Sequence, residues 1–170
     1  LISNVNDDGS FERVVNTPTR GIGAKTLEDL RIIARDQAVS LWQGAVYLLS
    51  QNRLPGRAAN ALKSFMELIE QLASATDELE LYEKVKLVIE KSGLRGLYQK
   101  ETGDKGEARV ENLEELVNAA KLFDFEQESE EQLSPLDLFL AHATLESGET
   151  QGEEFEDCVQ LMTLHSAKGL

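Results

Sequence analysis

A chain of 170 residues, 41% of them apolar, can bury the core of one domain, and no apolar run nears the roughly 20 residues that cross a bilayer. Leu1-Ile2-Ser3-Asn4 lacks the basic start and apolar stretch of a secretory signal, and the single cysteine, Cys158, excludes an internal disulfide, which fits a reducing cytoplasm. A formal charge of −14 argues against a polyanionic partner, yet residues 1–63 carry eight bases against six acids, whereas residues 110–170 carry fifteen acids against only Lys121 and Lys168. Any polyanion is therefore expected to meet the first third, with the acidic last third turned away as a solubilising face.

Nearly every segment reads as helix. A short helix is expected around Phe11 to Val15. Thr26-Leu27-Glu28-Asp29 and Ser40-Leu41-Trp42-Gln43 each have the form of a capping box. Leu27, Leu30, Ile33 and Ala34 make one apolar stripe, and Leu41, Ala45, Leu48 and Leu49 make the next. After the break at Pro55-Gly56, a longer helix has Ala58, Leu62, Phe65, Ile69 and Leu72 on one face. Leu81, Val85, Val88 and Ile89 mark a helix that ends near Gly93. Gly103-Asp104-Lys105-Gly106 is expected to be a loop, with Asn112 capping a helix that bears Leu113, Leu116, Val117, Ala120 and Phe123. Ser134-Pro135 is a strong helix start, a cap followed by proline at the first helical position. Residues 159–164 form the one candidate strand. A lone strand is not stable, so its sheet is expected to lie elsewhere. The expected fold class is all-α: a multi-helix domain with one short strand near its C-terminus.

The most informative stretch is Thr17-Pro18-Thr19-Arg20-Gly21-Ile22-Gly23-Ala24-Lys25-Thr26. Glycines between two helices permit positive φ and let backbone N–H groups approach an anion at a helix N-terminus. Ile22 would pin the turn to the core, while Thr19, Arg20, Lys25 and Thr26 flank it with charge and hydroxyls. Such a hairpin grips phosphate without reading sequence. At the other end, Thr163, His165, Ser166 and Lys168 follow the candidate strand, where a strand-to-loop junction can present polar groups to a ligand. Trp42 and His142 are expected to be structural, Cys158 inert, and no cluster has metal-ligand spacing. No Gly-x-x-x-x-Gly-Lys-Ser/Thr phosphate loop is present, so no catalytic residue is assigned and these residues alone are not expected to hydrolyse ATP.

Three blocks resemble, in order, superfamily 1 DNA helicases of the UvrD, Rep and PcrA type: Asn4 to Asp8 with Phe11 to Gly23, then Val110 to Leu116, then Leu161 to Leu170. The resemblance implies a 2B accessory domain over residues 1–157, with a helix-hairpin-helix around 11–36. Residues 158–170 would be a truncated motif V belonging to the second RecA-like (2A) motor domain. It implies a parent ATP-dependent 3′–5′ DNA helicase that uses ATP and magnesium and acts in nucleotide excision and mismatch repair in the bacterial cytoplasm. Duplex DNA would meet Thr19, Arg20, Gly21, Ile22, Gly23, Lys25 and Thr26, and single-stranded DNA would meet Thr163, His165 and Lys168. An inserted domain should also bring its two ends close together. An alternative reading is an acidic helical interaction module that docks mismatch and excision repair proteins, with DNA contact secondary.

Overall fold

A computed structural model describes residues 1–123 and 133–148, with side chains to residue 145. The chain divides into two compact units, residues 1–123 and 124–170. All regular structure among the described residues is helical: α1 (Asp8–Val14), α2 (Ala24–Gln37), α3 (Leu41–Ser50), α4 (Gly56–Thr76), α5 (Leu81–Ser92), α6 (Leu94–Tyr98) and α7 (Asp104–Leu122) in the first unit, and α8 (Pro135–Gly148) in the second. The candidate strand at 159–164, the expected boundary near 157 and the proximity of the two ends all involve positions outside the described residues.

Caps decide where several helices begin. Asp7 starts α1, its carboxylate accepting the Ser10 amide at 3.0 Å and the Ser10 hydroxyl at 2.6 Å. Ser40 starts α3 as its sequence promised, accepting the Gln43 amide at 3.3 Å. The same two segments are tied together. Asp8 accepts the Leu41 amide at 2.8 Å, and the Ser40 hydroxyl donates to Asn6 Oδ1 at 2.7 Å. The polar block 4–8 thus fastens α1 to the start of α3. In the second unit Ser134 accepts the Asp137 amide at 3.2 Å and so caps α8.

Three expectations are corrected. The cap of α2 is Gly23, in extended backbone, rather than Thr26, which lies within the helix and is only 6% exposed. Helix α7 begins at Asp104, so the expected loop shrinks to the turn before it, and Asn112 lies inside the helix rather than at its start. Helix α6 was not anticipated. It begins immediately beyond Gly93, which ends α5 at φ 85°.

Helices α1 to α4 gather around a core of Phe11, Ile22, Leu30, Ala45, Leu62 and Phe65, each at most 2% exposed. Phe11 is its hub, packing edge-on against Phe65 at 5.6 Å and against Trp42 at 6.4 Å between ring centroids. Burying each such large apolar side chain contributes about 1.5–3 kcal/mol before entropy is counted. The sequence had read Trp42 as a core anchor, and there it sits. Helix α5 packs on α4 and, with α6, on α7, where Ile89, Val110, Leu113 and Val117 line a small crevice.

Candidate nucleic-acid interface

Residues 15–23 make the turn between α1 and α2, and it is braced from both sides. Outside, Arg31 of α2 pairs with Glu12 of α1 at 2.6 Å. Inside, Ile22 is 1% exposed and anchors the turn to the core. The outward surface is backbone. Gly21, at φ +86°, and Gly23, Ala24 and Lys25 are exposed, and none of their amides donates to another described residue. A helix start with free N–H groups has partial positive charge, equivalent to about half an elementary charge.

The start of α2 carries no negative charge of its own, although the chain is acidic. This helix has neither a side-chain cap nor an acid in its first turn. By contrast, α1, α5, α7 and α8 each place an Asp or Glu there. Helices α4 and α6 share this: neither has a side-chain cap or an acid in its first turn, and the first turn of α4, after Pro55, holds Arg57.

Arg57 is the functional candidate that sequence reading missed. Its Nε lies 4.0 Å from the position a Cβ on Gly21 would occupy, so a cation 36 residues downstream is delivered to the turn. The only sequence signal was a base just after the Pro55-Gly56 break, which does not disclose its neighbour. Arg57 and Lys25 are both exposed and form no ion pair among the described residues.

Beside Ile22, buried as described, two further residues of the sequence-derived list do not lie open on the turn. Arg20 is half-buried: its guanidinium donates to the backbone oxygens of Val14 at 2.9 Å, Pro18 at 3.1 Å and Ser92 at 3.0 Å, and it lies over the Phe65 ring at 5.4 Å. Burial lowers its pKa from the ordinary arginine value. Thr26 is buried, next to the exposed Lys25. Thr19 is exposed beside the turn. Thr19, Gly21, Gly23 and Lys25 are thus exposed along the turn and the start of α2, Arg57 reaches Gly21, and Ile22 and Thr26 are buried. Thr163, His165 and Lys168 lie outside the described residues. No group of three or more potential metal ligands occurs among the described residues.

Comparison with known proteins places this geometry in context. The whole chain, residues 1–170, matches the family described as UvrD-like helicase C-terminal domain. It is 55% identical to DNA helicase II of Escherichia coli strain K12 over 170 residues, which are all of this chain and 24% of that protein. Identity to DNA helicase II of Haemophilus influenzae is 49%, again over the whole chain and 23% of the relative. The ATP-dependent DNA helicase PcrA of Bacillus subtilis strain 168 is 36% identical over 176 residues, covering all of this chain and 23% of the relative. The chain thus spans about a quarter of the length of these relatives. On its full-length match and these identities, the chain belongs to the UvrD-like helicase C-terminal domain family.

Proposed function

We propose that this chain is the duplex-contacting 2B accessory part of an ATP-dependent 3′–5′ DNA helicase, and that it holds the DNA backbone through the α1–α2 turn. The observation that supports this most is the exposed start of α2: free amides at Gly21, Gly23, Ala24 and Lys25, no capping side chain, no acid in the first turn, and unpaired Lys25 and Arg57 beside them. An anionic oxygen placed there receives backbone donors and two cations together, the arrangement that favours phosphate. The names of the relatives, DNA helicase II and ATP-dependent DNA helicase PcrA, supply the motor to which such a grip would belong. ATP and magnesium chemistry is assigned to parts of a parent outside these 170 residues, since the sequence holds no phosphate loop.

Binding of this kind is sequence-independent and steeply salt-dependent. Titrating the chain with a short duplex across a salt series should give a log–log slope of roughly −2 to −3, at about −0.9 per phosphate neutralised. Lys25→Ala and Arg57→Ala should each flatten that slope by about 0.9. If the double variant binds with the parent's slope and affinity, the grip does not lie at this turn.

A further inference from the structure

The turn that would face phosphate is shaped from behind. Residues 15–23 contain no regular helix or strand. Two polar side chains point inward and fix the backbone. Asn16 Oδ1 accepts the amide of Arg20 at 2.7 Å and that of Ile22 at 3.4 Å. The Arg20 guanidinium spends three of its N–H donors on carbonyls, two within the turn region and one on Ser92, 72 residues away at the end of α5. Its planar face is covered by Phe65. Next to that bond, Pro18 Cγ lies 3.4 Å from where a Cβ on Gly93 would stand, so the α5–α6 junction forms the seat of the turn.

Given the phosphate reading above, on which this rests, we propose that Asn16 and Arg20 are positioning residues: they contact no phosphate, and they hold the Gly21 to Lys25 amides in the arrangement that does. The division of donors supports it. Every amide that Asn16 satisfies alternates with one left free, Arg20 and Ile22 bonded, Gly21 and Gly23 not. An anion site made of backbone donors depends on their prior alignment, because ordering a loose turn would be charged against binding. Losing a positioning group lowers affinity without changing how many counterions are released.

Two variants separate this role from a direct contact. Arg20→Lys keeps the charge but lacks the planar fork whose two nitrogens bond the three carbonyls, and Asn16→Ala changes no charge. Both should weaken binding of the chain to a short duplex about tenfold while leaving the salt slope at the parent's value. Without DNA, the amide resonances of Gly21 and Gly23 should shift in both variants. Circular dichroism verifies folding, and Asn16→Ala stands as the readout if Arg20→Lys does not fold. Parental affinity in both variants overturns the positioning role alone. So does an Arg20→Ala slope change as large as that of Lys25→Ala, which would make Arg20 a phosphate contact. Absence of salt-dependent duplex binding in the parent chain overturns the phosphate reading itself.

Discussion

A Cβ added at Gly106 would lie 2.4 Å from the Glu101 backbone oxygen and 2.9 Å from that of Tyr98. Neither oxygen can swing aside as a side chain would, so the first turn of α7 must move off the end of α6. Gly106→Ala is expected to cost about 1–3 kcal/mol, the range for forcing atoms into a filled space, read as a lower urea midpoint with unchanged m-value. Gly21 is glycine for a different reason. The space around it is open, with Arg57 Nε the nearest atom at 4.0 Å, but its φ of +86° disfavours any side chain. That second kind of requirement was legible, because Gly-x-Gly between two helical patterns announces a turn. The first was not: Gly106 beside Gly103 looked like one more loop residue, and only the folded neighbours show it packed inside a helix. Arg20 and Arg57 make the same contrast. Proximity in sequence suggested Arg20 for phosphate, while folding turned it inward and brought Arg57 to the turn.

Helix α1 is seven residues long, too short to persist without its surroundings, and its polar contacts have a definite pH signature. The Asp7 carboxyl is held below the usual aspartate value chiefly by the side-chain hydrogen bond from Ser10, then by the Ser10 backbone amide. The Glu12 carboxyl is lowered chiefly by its hydrogen bond from Arg31. A carboxylate whose folded pKa is depressed contributes stability above its unfolded pKa, and that contribution is lost as pH falls through the folded value. Asp7→Asn with Glu12→Gln should therefore melt slightly below the parent at pH 7, and the gap should narrow as pH falls from about 4 through the lowered folded values. A gap of the same size at low pH would mean that neither charge matters to α1. Both groups are exposed, so solvent screening keeps the effect small. Element starts were readable where a side chain caps, at Ser40 and Ser134. They were misread where glycine does, at Gly23 and Gly103, since glycine leaves no signal beyond its conformational freedom.

The net charge of −14 says little about the charge at any one place on the folded chain. Of the eight bases in residues 1–63, Arg31 pairs with Glu12 and Glu28, Arg35 with Asp36, and Lys63 with Glu67. Arg20 is engaged by carbonyls and Arg13 by the Ser10 hydroxyl. Lys25, Arg53 and Arg57 remain without such partners, and two of these three flank the α2 start. Which bases are free is a property of folding that counting along the chain cannot supply. Between groups further apart than a Debye length, about 8 Å at physiological salt, exposed charges are largely screened, so placement should outweigh the total. Two double variants with identical net charge test this directly. Lys25→Gln with Arg57→Gln should flatten the salt dependence of duplex binding by nearly two phosphates' worth. Arg35→Gln with Lys63→Gln removes the same two charges from already paired positions and should leave the slope within about 0.5 of the parent. Equal flattening in the two would show that the whole-molecule field governs binding and that the turn between α1 and α2 has no special part in it.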